Sequence, residues 1–105
     1  MSALAAMSLS QTAIAADPID DANVDNPAGT TITGTAGYGV KLDAGGPYTI
    51  DNSGEISAEQ GSVAFGINVN SVTVTSINNT STGVIKADAT TGTAVGIYVQ
   101  STSSI

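Results

Sequence analysis

A repeated segment constrains the fold of this chain more than any other feature of its sequence. Residues 48–70 read YTIDNSGEISAEQGSVAFGINVN, a second version occupies residues 76–100, and a shorter one occupies residues 24–43. The copies start at Val24, Ile50 and Ile77, which are 26 and 27 residues apart. Self-similarity with a period of this length is typical of solenoid proteins, in which each repeat stacks on its neighbours.

Each copy contains the same frame of residue types. An Asn lies two residues after the first apolar residue, a turn glycine follows it, and a β-branched residue comes next. A second glycine then precedes an alternating strand. These positions are Asn26, Asn52 and Asn79; Gly29, Gly54 and Gly83; Ile32, Ile56 and Ile85; and Gly39, Gly66 and Gly96. The frame predicts that each copy is one turn of an all-β parallel β-helix of about three turns, with equivalent residues about 4.8 Å apart.

The alternation within the strands predicts which side chains point inward, because successive side chains of a strand lie on opposite faces. The predicted core residues are Val40, Leu42, Ile56, Ala58, Ile67, Val69, Val72, Val74, Ile85, Ala87, Ile97 and Val99. Ser57 and Lys86 are predicted to point outward. A second outward column, formed by Lys41, Asn68 and Tyr98, is a candidate contact surface.

The charged residues exclude some classes of partner. The sequence has nine Asp and Glu against two Lys, which gives a formal net charge of −7. Binding to nucleic acid or docking on an anionic membrane requires clustered cations, so we expect neither. Because the chain has no Cys, it has no disulfide framework and no thiolate metal site.

The residue types give little support to catalysis, and we expect no cofactor and no metal site. The sequence has no His and no Arg to act as a base or to hold an anionic substrate. Its carboxylates are scattered over different positions of the repeat, so no pair is selected for glycoside chemistry. A polysaccharide lyase or hydrolase fragment nevertheless remains the alternative from another functional class.

Residues 1–16 have the composition of the later part of a signal peptide. A short run of small and apolar residues at 3–9 leads to Ala13-Ile14-Ala15, which suits cleavage after Ala15 or Ala16. No basic residue precedes Lys41, which indicates that the leader is truncated at its start. An Ala-rich amphipathic helix is the other interpretation. Residues 17–23 are acidic and contain Pro18, so they are predicted to form a disordered linker before the repeats at 24–105.

Asn26, Asn52 and Asn79 could line a binding site, but a structural role is favoured. Stacked Asn side chains at a solenoid corner can hydrogen-bond to one another and to the nearby backbone. Gly39, Gly66 and Gly96 precede strands rather than helices, which indicates corner residues and not a phosphate-binding loop.

Two features of the repeats are candidates for a contact surface. Polar loops are predicted at 58–66 and 87–96, and variable loops of a solenoid often carry its binding surface. Tyr38, Phe65 and Tyr98 could also offer an aromatic face to a sugar or a protein.

Repeats of the form I-D-N-S-G-E-I-S-A followed by G-I-N-V resemble the passenger region of bacterial autotransporters, the type V secretion family. The resemblance covers residues 24–105 and implies a right-handed β-helix that is exported through the periplasm to the cell surface or medium. In that family a C-terminal β-barrel anchors the passenger, so this sequence is expected to be the N-terminal part of a longer protein. The implied role is structural and adhesive, with a protein or glycan on a host or neighbouring cell as the partner.

Two further expectations accompany the resemblance. The segment could serve only as an inert spacer for a distal domain. The last turn would leave an unpaired strand edge, through which the chain could self-associate.

Overall fold

The computed structural model describes residues 18–100, and this part of the chain contains ten β-strands and no helix. The strands are β1 (Ile19–Asp20), β2 (Val24–Asn26), β3 (Thr31–Gly34), β4 (Tyr38–Leu42), β5 (Tyr48–Asn52), β6 (Glu55–Gln60), β7 (Val63–Val69), β8 (Val74–Asn79), β9 (Val84–Ala89) and β10 (Thr93–Val99). The predicted signal peptide and the predicted helical or disordered N-terminal segment lie outside the described residues.

The strands form three parallel sheets. Sheet A has the order β1-β4-β7-β10, sheet B the order β2-β5-β8, and sheet C the order β3-β6-β9. Three successive turns, β2-β3-β4, β5-β6-β7 and β8-β9-β10, therefore each contribute one strand to every sheet. This arrangement confirms the predicted all-β fold, a parallel β-helix of about three turns.

The register of the sheets follows the alignment of the repeats. In sheet B, Val24 pairs with Ile50 and Ile50 with Ile77. Sheet C aligns Ile32, Ile56 and Ile85, and sheet A aligns Val40, Ile67 and Ile97. One irregularity interrupts this order, a bulge between Tyr48 and Thr49 where β5 pairs with β8. Equivalent residues of the repeats thus become neighbours across the sheets.

The core is a stack of aliphatic side chains enclosed by the three sheets. The buried apolar residues of this cluster are Val24, Ile32, Val40, Leu42, Tyr48, Ile50, Ile56, Ile67, Val69, Val72 and Val74. Ile97 and Val99 were also predicted to be buried, but they are 42% and 40% exposed. They occupy the same columns as Ile67 and Val69, yet no described strand pairs with the outer edge of β10.

Residues 17–23 do not all lack regular structure, so that prediction is wrong for β1. Ile19 pairs with Val40 and packs against the core, and the Asp21 amide donates to the Lys41 carbonyl at 2.9 Å. The Asp21 carboxylate Oδ1 accepts from the Asp43 amide at 2.8 Å and from the Ala44 amide at 3.1 Å. This segment therefore covers the sheet A edge of the first turn, which is why it is ordered against the solenoid.

Gly39, Gly66 and Gly96 lie inside strands β4, β7 and β10, and not before strands as predicted. The reason for glycine is close packing between turns. A Cβ on Gly66 would lie 2.5 Å from the Gly96 carbonyl oxygen and 3.0 Å from that of Lys86. Sheet A and sheet C approach each other so closely there that only a residue without a side chain fits in the second turn.

The predicted polar loops are mostly strand. Strands β6 and β7 are separated by residues 61–62 alone, and β9 and β10 by residues 90–92. Ser57 was predicted to be exposed but is only 4% exposed. It pairs with Thr33 on one side and Lys86 on the other, and Lys86 reaches to Glu55 on the same strand as Ser57, with Nζ 2.9 Å from Oε2. Ser57 is therefore flanked on both sides by residues of the neighbouring turns.

Candidate functional site

Asn26, Asn52 and Asn79 form a continuous hydrogen-bonded column, here called the Asn ladder. The Asn26 Nδ2 donates to Asn52 Oδ1 at 2.7 Å, and the Asn52 Nδ2 donates to Asn79 Oδ1 at 2.8 Å. Asn26 and Asn52 are fully buried, whereas Asn79 is exposed. Buried amides need such partners because an unpaired polar group in the interior is costly.

The ladder also closes the turn between sheet B and sheet C. Each Nδ2 donates to the carbonyl of the residue directly before the next strand, which is Thr30, Gly54 or Gly83. In the second turn this carbonyl is two residues beyond the Asn, and in the other two turns it is four residues beyond. The same side chain therefore fixes the start of the sheet C strand for both turn lengths. The contacts of the ladder are internal to the protein.

The outward face of sheet A carries a cluster of aromatic and polar side chains, here called the aromatic face. It consists of Tyr38, Lys41, Phe65, Asn68 and Tyr98. Tyr38 pairs in register with Phe65, while Lys41 pairs with Asn68 and Asn68 with Tyr98. The cluster contains three of the four aromatic residues of the chain, so aromatic surface is concentrated on one sheet.

Two ring contacts organise this face. The rings of Phe65 and Tyr98 are stacked, with their centroids 4.6 Å apart and an interplanar angle of 14°. The Lys41 Nζ lies 4.8 Å from the centroid of the Tyr38 ring, which is within the range of a cation–π contact. Tyr38 with Lys41, and Phe65 with Tyr98, therefore form two contacting pairs on this face.

Asn68 lies between Lys41 and Tyr98 in its column, and its side-chain oxygen lacks a partner. The Oδ1 atom is buried and accepts no hydrogen bond from any described residue. Beside it is an open cleft of about 340 Å³. The cleft is lined by Ala36, Gly37, Tyr38, Lys41, Gln60, Ser62, Val63, Phe65 and Asn68. Because this atom has almost no accessible surface, a ligand in the cleft reaches it only when the Asn68 amide turns.

Lys41 is the cation of the aromatic face. Its Nζ is 3.8 Å from Asp43 Oδ2, and its side chain is about one third exposed. The neighbouring Tyr38 phenol and the Asp43 carboxylate raise the pKa of Lys41, so its ammonium group stays charged at neutral pH. The other lysine, Lys86, pairs with Glu55 on sheet C, and this hydrogen bond raises its pKa. Both cations of the sequence are thus already partly neutralised.

A second depression crosses the turns between sheet B and sheet C. Its volume is about 420 Å³, and it is lined by Ala28, Gly29, Thr30, Thr31, Ser53, Gly54, Glu55, Thr82 and Val84. Two of its hydroxyl groups already have partners: Ser53 Oγ accepts from Thr80 Oγ1 at 2.9 Å, and Thr82 Oγ1 donates to the Ser53 carbonyl at 2.8 Å. This groove holds no aromatic side chain.

The carboxylates do not gather into one site. Asp25 and Asp51 are neighbours in register on sheet B, and Asn78 continues their column. All three are exposed. Among residues 18–100, no group of three or more Asp, Glu, His or Cys side chains is arranged to hold a metal ion.

The candidate site combines two sets of residues that belong to different positions of the sequence repeat. The contact column of Lys41, Asn68 and Tyr98 and the aromatic residues Tyr38 and Phe65 lie on one face. Gln60, Ser62 and Val63 were not identified individually, although they fall in the predicted loop at 58–66. One signal could have found the Tyr38–Phe65 pairing, since each residue directly precedes a repeat glycine.

Comparison with protein-family models gave no match, and neither curated proteins nor solved structures gave a significant match to this chain. The described residues include no helix long and apolar enough to cross a membrane.

Proposed function

We propose that this chain is the N-terminal part of a secreted or surface-displayed protein of the autotransporter-passenger type. In this proposal the β-helix serves as a rigid scaffold, and the aromatic face makes the contact with a partner on another cell. The leader-like composition of residues 1–16 supports the proposed export through the periplasm. The acidic composition of the repeats and their lack of Cys are compatible with an extracellular location.

The aromatic face is the observation that carries the adhesive role. Single exposed aromatic residues are ordinary on protein surfaces, but a cluster of three beside an open cleft is not required for stacking the turns. The inert-spacer alternative accounts for the Phe65–Tyr98 stack as a contact between turns, but it gives no reason for the open cleft beside these rings. Aromatic side chains are enriched where proteins bind partners, since they bury a large area with few rotatable bonds.

Export is tested by locating the protein in the cells that produce it. Intact cells would be treated with an external protease, and the chain would be followed with an antibody in the cell, membrane and medium fractions. The proposal predicts that the chain is found in the medium or is removed by protease from intact cells. A chain confined to the cytosol of intact cells would overturn it.

Adhesion is tested with beads that carry the purified 105-residue chain. The matched pair of variants is Tyr98→Ala on the aromatic face and Val84→Ala on sheet C, because both side chains are exposed, at 38% and 45%. We expect beads with the unchanged chain or with Val84→Ala to bind target cells equally, and beads with Tyr98→Ala to bind them less. Equal binding by both variants would remove the aromatic face from the proposal.

A further inference from the structure

We propose that the cleft beside the aromatic face binds a neutral saccharide. This inference rests on the proposed function and names the class of ligand for the same face. The three requirements of a pyranose ring are a flat apolar surface, a hydrogen-bond acceptor for its hydroxyl groups and a donor for its oxygen atoms. The cleft presents all three on strands β4 and β7.

The apolar surface is the ring of Phe65. It lines the cleft and is stacked at 4.6 Å against Tyr98, which limits the orientations available to it. One side of a pyranose ring presents several C–H groups. These apolar groups can pack on the face of an aromatic ring. Because Tyr98 holds Phe65 without lining the cleft itself, it acts as a positioning residue.

The acceptor is Asn68 Oδ1, which is buried without a partner among the described residues. In this proposal the Asn68 amide turns when a saccharide binds, so that Oδ1 reaches the cleft and accepts a hydrogen bond from a ligand hydroxyl group. A saccharide supplies such donors on every carbon that carries a hydroxyl group. A purely apolar ligand would leave the acceptor unpaired.

The donor is the Lys41 ammonium group, which lines the same cleft. Lys41 lies near Asp43 and over the Tyr38 ring, so an anionic ligand would compete with the Asp43 carboxylate for the ammonium group. The chain also has a net charge of −7, which repels anions. These charges favour a neutral saccharide over an acidic one, a phosphate or a nucleotide.

The size of the cleft agrees with this class of ligand. Its volume of about 340 Å³ is at the lower end of the range of roughly 300–1,000 Å³ that is typical of small-molecule sites. The cleft is open to solvent along the strands, so a longer neutral chain could continue past one bound ring. Weak binding is expected for such an open site, with a Kd of about 1 mM.

The test is an NMR titration of the isotopically labelled 105-residue chain with three probes. Cellotetraose and chitotetraose are neutral and differ in their N-acetyl groups, and tetragalacturonate has a similar length but is acidic. We expect a neutral probe to shift the amide signals of Tyr38, Lys41, Phe65 and Asn68, and the acidic probe to bind at least fivefold more weakly.

Two variants probe the roles of individual side chains. Phe65→Leu keeps an apolar side chain and removes the ring, and we expect it to weaken neutral binding roughly tenfold. Asn68→Ala removes the acceptor and should weaken binding by a similar factor. Val84→Ala, at the second groove, should bind as the unchanged chain does. The dispersion of each NMR spectrum reports whether the variant is folded, and either folded variant is sufficient for the test.

Several outcomes would overturn the inference. They are the absence of shifts with both neutral probes at their highest soluble concentrations, tighter binding of tetragalacturonate, or shifts centred on the second groove. Unchanged affinity in a folded Phe65→Leu or Asn68→Ala variant would also overturn it. If beads still bind cells through Tyr98 while no saccharide binds, the partner is a protein, and the proposed function stands without this inference.

Discussion

The middle turn and the last turn of the solenoid use the same residue types in the same register, but they differ in burial. Ile67 is fully buried, whereas its partner Ile97 is 42% exposed. Asn52 is buried between two ladder partners, whereas Asn79 is exposed and has one. The difference shows that a side chain in this fold is buried by the neighbouring turns and not by its own turn.

The first turn shows how an end of the stack can be protected. Strand β1 pairs with β4, and the Thr30 hydroxyl donates to Asn26 Oδ1 at 2.6 Å, where the described residues include no earlier member of the Asn ladder to do so. The ends of the described solenoid are therefore chemically different. The following predictions test the rule that position in the stack sets the energetic role of a residue.

The largest effect is expected from shortening core side chains. Ile67→Ala leaves a cavity enclosed by both neighbouring turns and should lower the free energy of unfolding by about 4 kcal/mol. Ile97→Ala should lower it by less than about 1 kcal/mol, because the side chain is already partly exposed. Urea denaturation of both variants measures the difference. If Ile67→Ala does not fold, the milder pair Ile67→Val and Ile97→Val can be compared instead. Equal losses of unfolding free energy within either pair would contradict the rule.

The glycine column should show the next largest contrast. Gly66→Ala would place a methyl group against the carbonyl of the turn above and should cost about 3 kcal/mol. In Gly96→Ala the nearest atom is the Ile85 carbonyl oxygen at 3.7 Å, an ordinary contact, so stability should change by less than about 0.5 kcal/mol. Thermal unfolding of the two variants makes the comparison. A tolerated Gly66→Ala would mean that the turns are packed less closely than described.

The Asn ladder should show a smaller contrast. Asn52→Ala removes the donor to Asn79, Gly54 and Val84 and leaves buried groups unpaired, at an expected cost of about 2 kcal/mol. Asn79→Ala affects an exposed group, where water can take over the lost hydrogen bonds, and should cost about 0.5 kcal/mol. Chemical denaturation again provides the measurement. The ladder would lose its structural role if Asn52→Ala were as stable as the unchanged chain.

The smallest effect concerns the protected first end and depends on pH. Hydrogen bonds, first that from the Asp43 amide, lower the pKa of Asp21 below its usual value. Its charged form therefore stabilises the fold above the unfolded pKa of about 3.9, and this contribution is lost as the pH falls through the lowered folded value. Asp21→Asn should be less stable than the unchanged chain at pH 7, and the difference should shrink toward pH 2. A stability difference between Asp21→Asn and the unchanged chain that grows as the pH falls would contradict this prediction.

The sequence was sufficient to predict the fold because the repeat determines the register. Aligning Ile50 with Ile77 and Asn52 with Asn79 identifies neighbours in space, since one repeat is one turn. The ends were harder to predict, because the exposure of Ile97 and the pairing of Ile19 depend on what lies beside them and not on local pattern. The burial of Ser57 was missed for a related reason, because this residue lies between two neighbouring strands.

The candidate site was predicted only in part. The alternation placed Lys41, Asn68 and Tyr98 in one outward column, and the structure has this register. The stacking of Phe65 on Tyr98 could not be predicted, because these residues occupy different columns of adjacent strands. The unpaired state of Asn68 Oδ1 depends on three-dimensional packing around one atom. The residue pattern of the sequence therefore does not predict that this oxygen is unpaired.

The most direct test of the stacking account is amide hydrogen exchange across the whole chain, at a concentration where sedimentation shows a monomer. The account predicts the strongest protection in β5, β6 and β7, whose backbone groups are paired on both sides, and weaker protection in β8, β9 and β10. Protection that is uniform over the three turns, or highest in β10, would contradict the claim that each turn is stabilised by its neighbours.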